Sequence, residues 1–354
     1  MGHHPILVEL LRGTTLESMH RGALAVVDAE GAVFAAIGDI ARPVFPRSAV
    51  KLLQALPLVA SGAAEALALS DEELALACAS HTGEPAHVRT AAGMLAKAGL
   101  DGAALECGTH WPRLDVAARE LAARGERPTA LHNNCSGKHA GFLCLACHRH
   151  GRAGLRGFAR GYVEPEHALM REITAALQAA TGCDLAAAPR GTDGCSIPTF
   201  AIPLRQLALA FARVATGHGL SPDHARAARR LRQAAARAPF MLGGSGRFDT
   251  RVMQALGERV FCKVGAEGVY CAALPEQGLG VAIKVDDGNT ARAAEVVMAA
   301  VIEALLPLAG EPATLLRSLG DATLRNWNGR EVGRLRASSW LRRTLDGAQG
   351  AGAA

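Results

Sequence analysis

The chain has 354 residues, 49% hydrophobic and only 4% aromatic, with a formal net charge of +5. That length supports a large core, as one big domain or two lobes, packed mainly by Ala, Leu and Val. Its cations are scattered along helices (Arg226, Arg229, Arg230 and Arg232) without a dense run, and no apolar run approaches the roughly 18 residues of a membrane span, so neither a nucleic-acid nor a membrane partner is expected.

Met1–Leu11 is too short and wrongly flanked for a signal peptide. The nine cysteines are an odd number and argue against a disulfide framework. A cytoplasmic protein with buried thiols or a metal site is expected. Ala23–Asp28 and Ala32–Gly38 are short apolar runs around Ala29-Glu30-Gly31 and predict a β-hairpin. Ser70-Asp71-Glu72-Glu73 is a capping box that opens a short helix to about Ala79. Ala86–Ala98, Leu114–Ala123, Lys138–His150, Glu166–Ala180, Phe200–Thr216 and Pro222–Arg237 also read as helices, the last with Ser221 as N-cap and Pro at its first position. Val260–Val264, Gly268–Ala273 and Gly278–Val285 then form a meander whose short connections make it antiparallel. A helix follows from about Thr290 to Leu306 and stops at Pro307.

Two strands, a helical middle, then three strands and a helix predict an α+β fold: a five-stranded antiparallel sheet flanked by helices, with an inserted all-α lobe. The expected organisation is a single domain over residues 1–346. Its α/β lobe takes about 1–60 and 240–346, and its helical lobe about 61–239. The tail Gly347–Ala354 contains only Gly, Ala and Gln and is expected to be disordered.

Chemistry concentrates in a few stretches. In Arg47-Ser48-Ala49-Val50-Lys51, the serine and lysine are three residues apart and share a helix face. A serine hydroxyl needs a base, and a lysine amine serves when its pKa is lowered by burial or a neighbouring cation. S-x-x-K alone is common and carries little weight. Two further elements add to it: Ser80, just past a capped helix, and Lys263-Val264-Gly265 on the first strand of the late meander. Serine β-lactamases and penicillin-binding proteins assemble S-x-x-K, a serine of the α lobe and K-[ST]-G in that order. Val264 stands where that motif has Ser or Thr, so an ordinary β-lactamase is excluded.

His132-Asn133-Asn134-Cys135-Ser136-Gly137-Lys138-His139 crowds polar residues at a helix start, without the glycine spacing of a P-loop. Gly191-Thr192-Asp193-Gly194-Cys195-Ser196-Ile197-Pro198 places a carboxylate and a thiol on one turn. Cys135 and Cys195 are either donors to a soft divalent metal such as zinc or two separate buried thiols. Cys144-Leu145-Ala146-Cys147-His148 matches a haem-attachment pattern, but it continues a helix in a chain without an export signal and reads as core.

Together, Arg47–Lys51, Cys78–His81, Asn134–His139, Gly191–Pro198, Gly244–Phe248, Lys263–Tyr270 and Val285–Asn289 resemble the rhizobial-type (class 3, thermolabile asparaginase II) L-asparaginase family. The resemblance implies a serine β-lactamase-like fold, a homodimer, and hydrolysis of L-asparagine to aspartate and ammonia through a covalent acyl-enzyme. It implies Ser48 as nucleophile with Lys51 as its base, and Ser80 with Lys263 as a second Ser–Lys pair that tunes Lys51. It implies zinc, held by Cys135, Lys138 and Cys195. Arg47, Asn134, His139 and Asp193 would hold the substrate. Family members often carry a cysteine where Asp249 stands, which bears on substrate preference. The alternatives are glutamine or another small amide on the same scaffold, Cys135 as nucleophile, and a zinc-binding module without catalysis.

Overall fold

The computed structural model describes residues 4–352. The chain divides into two compact units, one of residues 4–49, 202–216 and 262–352, the other of 50–201 and 217–261. No helix among the described residues is long and apolar enough to cross a membrane.

The first unit is built on an eight-stranded sheet rather than the five-stranded one expected. From one edge its strands are Asp321–Arg325, Glu331–Ala337, Ile6–Arg12, Thr15–Val27, Leu279–Val285, Val269–Leu274 and Phe261–Val264, and Val33–Ile37 branches from Thr15–Val27. Thr15–Val27 is long enough for three partners. Its first half pairs with Ile6–Arg12, and its second half with Leu279–Val285 and with Val33–Ile37, all antiparallel. Of the added strands, Asp321–Arg325 and Glu331–Ala337 are amphipathic and rich in charge, which hides them from a search for apolar runs, whereas Ile6–Arg12 is mostly apolar. They are joined by cross-strand ion pairs, Arg336 to Glu9 at 3.0 Å and Arg334 to Asp321 at 2.8 Å. The central strands do read as apolar runs: every residue of Val269–Leu274 is buried, as a strand covered on both faces requires.

The helix Leu204–Thr216 belongs to this unit, although the sequence places it in the helical lobe. Gly280 explains why. A Cβ there would lie 2.0 Å from the Ala208 carbonyl oxygen and 2.2 Å from the Ala212 nitrogen, so only glycine lets the helix backbone rest on the strand. The helix starts at Leu204, four residues later than expected, because Pro198–Phe200 and Ile202–Pro203 pair as short strands with Arg190–Thr192 and Pro43–Val44. The last helix, Ser339–Gly352, runs through most of the tail expected to be disordered; residues 353–354 lie outside the described residues. Extending an existing helix through Ala and Gln is far cheaper than nucleating one.

The second unit is helical. Ser70 caps Asp71–Ala77 with both bonds of a capping box, Glu73 N–H to Ser70 Oγ at 3.3 Å and Ser70 N–H to Glu73 Oε2 at 2.7 Å. Pro222–Arg237 is capped by Ser221 and buries Ala227, Ala228, Leu231, Ala234 and Ala235 along one stripe. Its polar face is not merely solvated, since Arg230 and Arg237 both bind Asp71. Ser136–His150 has every residue from Ser136 to Cys147 buried. Gly137 and Gly141, one turn apart, face Leu76 and Ala77 and let this helix approach Asp71–Ala77 closely. All nine cysteines are free thiols, and Cys144 and Cys147 are buried on that helix, as a core reading requires.

Candidate active site

Within the sheet unit, Ser48 lies half-buried on a 3-10 turn, Arg47–Val50. Arg47, before it, has φ of +51°, a left-handed conformation that a non-glycine residue adopts at a cost. The Pro46 carbonyl accepts the Ala49 N–H at 3.1 Å and closes the turn. Gly265 abuts that same carbonyl, and a Cβ there would lie 2.7 Å from Pro46 O. The strand end carrying Lys263 and the turn carrying Ser48 are therefore neighbours. Lys263 is fully buried and donates to the Val264 carbonyl at 3.0 Å.

In the helical unit, Lys51 opens the helix Lys51–Ala60 and is 1% exposed. Its Nζ is 2.5 Å from Ala79 O, 3.0 Å from Ser80 Oγ and 3.3 Å from Asn134 O. A neutral amine satisfies that arrangement with two N–H donors to the carbonyls and a lone pair left for a hydroxyl proton. Burial, with Lys138 adding repulsion, holds Lys51 below its ordinary range against the pull of Cys135. The lysine opposing its charge within this unit is thus Lys138, which the sequence assigns to the metal donors.

Cys135, Lys138 and Cys195 converge. Lys138 Nζ donates to Cys195 Sγ at 3.0 Å, and the two thiols are hydrogen-bonded to each other. The bond from Cys195 comes first, with Lys51 and Lys138 behind it, in holding Cys135 well below the usual thiol range against burial. The same bond and burial push Cys195 up. Burial works against the Lys138 ammonium, but Cys195, Cys135 and Asp193 together hold it above its ordinary range. Among the described residues no group of three or more His, Cys, Asp or Glu is placed to hold a metal.

The loops around these groups are fastened by side chains to which the sequence assigns no role. Asn133 Nδ2 donates to Cys107 O at 2.8 Å, and its Oδ1 accepts the Cys135 N–H at 2.8 Å, which fixes the turn before Ser136. His110 Nε2 accepts the Asn134 N–H at 2.9 Å. His81 Nδ1 accepts the Gly83 N–H at 3.1 Å, so Nε2 carries the hydrogen and donates to Ser136 Oγ at 3.0 Å. Burial, His87 and Lys51 hold His81 well below the imidazole range and keep it neutral. Glu84 accepts from Thr82 Oγ1 at 2.6 Å and from Ser245 N and Oγ at 2.8 and 2.7 Å. It clamps the 243–247 loop onto the segment after Ser80.

Asp193 lies on a turn in which it accepts the Gly194 N–H at 2.6 Å, with Ser196 left-handed at φ +76°. Asp249 is 2% exposed in the first turn of Phe248–Leu256. Arg113 and Arg247, near enough to repel, have no side-chain acceptor among the described residues. The sequence assigns no role to either arginine, to His81, Glu84 or His110, although His81 and Arg247 lie within matching segments. Of the expected residues, Lys51, Ser80, Asn134, Cys135, Lys138, His139, Asp193 and Cys195 belong to the helical unit, and Arg47, Ser48 and Lys263 to the sheet unit.

The sequence pattern of the L-asparaginase II family matches residues 8–337, nearly the whole chain. The comparison with curated proteins finds no match.

Proposed function

The chain belongs to the L-asparaginase II family and is an amidohydrolase of that class; from that premise we propose that it hydrolyses L-asparagine through a Ser48–Lys51 pair and a covalent aspartyl-enzyme, on a fold of the serine β-lactamase type. The observation that supports this most is the buried Lys51 amine, lowered by its surroundings and held by two carbonyls and a hydroxyl. Lys51 accepts the Ser48 proton. Ser48 Oγ bonds to the side-chain amide carbon, and the carbon–nitrogen bond breaks. Ammonia leaves with the proton returned by the relay, and water then cleaves the ester. Ser80 and Lys263 form the second pair of that relay. Arg47, Asn134, His139 and Asp193 hold the charged groups of the substrate, with Asp249 bearing on the choice between asparagine and glutamine. Ammonia release from L-asparagine beside L-glutamine tests the reading, and no release from either sinks it.

Lys51 must be neutral to act as base. Activity is expected to rise with pH, reaching half its maximum below pH 10.5, the ordinary lysine value, because burial lowers the amine. Falling pH protonates Lys51 and removes activity, so a kcat/KM profile that stays flat down to mildly acidic pH excludes it as base. Lys51→Arg should be inactive across the range, since a guanidinium does not deprotonate.

Cys135, Lys138 and Cys195 are also the proposed zinc donors. The two sulfurs suit a soft ion, while Lys138, held as an ammonium by Cys195, Cys135 and Asp193, would have to release its proton to join them. Bound there, zinc would orient the amide rather than supply hydroxide. Metal analysis of the purified protein and of Cys195→Ser tests this; zinc absent from the first, or equal in both, overturns it. The family reading also proposes a homodimer, which sedimentation would contradict by showing a monomer alone.

Gly265→Ala should reduce kcat/KM by at least about tenfold, with a stability loss of about 1–3 kcal/mol. Its Cβ would displace the Pro46 carbonyl, now 2.7 Å away, and with it the turn that carries Ser48. Kinetics and thermal unfolding measured together check this, and unchanged kinetics would show that the turn tolerates the shift.

A further inference from the structure

Tyr162 lies outside every motif in the sequence and outside any role given above. It is fully buried. Its hydroxyl accepts the Glu106 N–H at 3.0 Å and lies 2.6 Å from His139 Nδ1. Having accepted one hydrogen, the oxygen must place its own, and Nδ1 is the acceptor beside it. Tyr162 O–H therefore donates to Nδ1, and the hydrogen of the neutral ring sits on Nε2.

His139 is 0% exposed, and its Nε2 has no hydrogen-bond partner among the described residues. A buried N–H left unsatisfied is costly, and such groups are rare unless a ligand or water completes them. The ring stands in the first turn of Ser136–His150, directly after Lys138. With Lys51 and Lys138 already present, a third cation would be repelled, whereas a neutral donor can face an oxygen without adding charge.

We propose that Tyr162 is a positioning residue that fixes the His139 tautomer, so that Nε2–H is presented to an acceptor oxygen of the bound substrate, carboxylate or amide carbonyl. This deepens the reading of His139 as a substrate-holding residue and rests on it. Tyr162 acts through the His139 ring.

The test uses the full chain labelled with ¹⁵N-histidine. In the wild type the His139 signal should report the Nε2–H tautomer and should shift when L-aspartate is added. β-Alaninamide, which keeps the amine and amide of asparagine but lacks the α-carboxylate, separates the two oxygens: a shift with it assigns the amide carbonyl, and a shift with L-aspartate alone assigns a carboxylate. No shift with either overturns the proposal. Tyr162→Phe should lose the tautomer preference and raise KM for L-asparagine about tenfold, with kcat changed less. An unchanged tautomer and KM would overturn it. His139→Gln supplies an amide donor with no tautomer to fix, so adding Tyr162→Phe to it should leave KM unmoved. The same KM rise in that background would make Tyr162 merely structural. If the wild type releases no ammonia from L-asparagine, the functional reading fails, while the tautomer and its response to L-aspartate remain measurable on their own.

Discussion

Ser48→Ala is expected to lower ammonia release from L-asparagine by at least about 10⁴-fold while leaving the melting temperature nearly unchanged. Ser48 is half-buried on a turn whose closing bond joins Ala49 to Pro46, so removing its hydroxyl costs the turn nothing in backbone hydrogen bonding. The competing nucleophile is Cys135, the thiol that the Cys195 bond, Lys51 and Lys138 hold below its usual range. The two variants divide the cases. Full activity in Ser48→Ala with none in Cys135→Ala would transfer the chemistry to sulfur. Under the serine mechanism Cys135→Ala should act indirectly, by removing a charge that favours the Lys51 ammonium and by loosening Cys195. It should therefore move the pH profile toward acid and keep measurable turnover.

Gly137→Ala is expected to destabilise the protein by about 3 kcal/mol or more, the second large effect. A Cβ at 137 would lie 2.4 Å from both the carbonyl oxygen and the Cγ of Leu76. The side chain could rotate away, but the carbonyl cannot, because it accepts the Ala79 N–H at 3.0 Å as the helix ends. Moving it shifts Ala79 and Ser80, which hold Lys51. Whatever fraction of the variant stays folded should therefore also be slow. Gly157→Ala is the control: nothing lies within 4 Å of its built Cβ, and a change within about 0.5 kcal/mol is expected. Chemical denaturation of both variants decides the matter, and equal midpoints would mean that the two helices simply move apart.

Much of the fold was legible because local chemistry and tertiary packing agree. Ser70 and Ser221 cap helices where the sequence places them, and the three late strands follow their apolar runs to within a residue or so. The missed strands had no such agreement. Ile6–Arg12, Asp321–Arg325 and Glu331–Ala337 are held partly by Glu9 with Arg336 and Asp321 with Arg334, and each pair means something only once its partner is known. The site divides in the same way. Lys51, Cys135, Lys138 and Cys195 sit in dense motifs and show themselves. Tyr162, Glu84 and His110 are single polar residues in unremarkable surroundings, His81 takes no role from the motif it ends, and only the folded chain brings each to its partner.

The pairing of Val8 with Ala337 carries a consequence for biosynthesis. The strand Ile6–Arg12 is synthesised long before one of its two partners, Glu331–Ala337. The helical segment 50–201 is uninterrupted and can begin to condense during translation, whereas the sheet must wait for Glu331–Ala337, with a long loop to close. Until then one hydrogen-bonding edge of Ile6–Arg12 stays exposed. For a molecule of this topology, that interval sets the demand on chaperones, and a chain interrupted before Glu331 would leave Ile6–Arg12 without that neighbour.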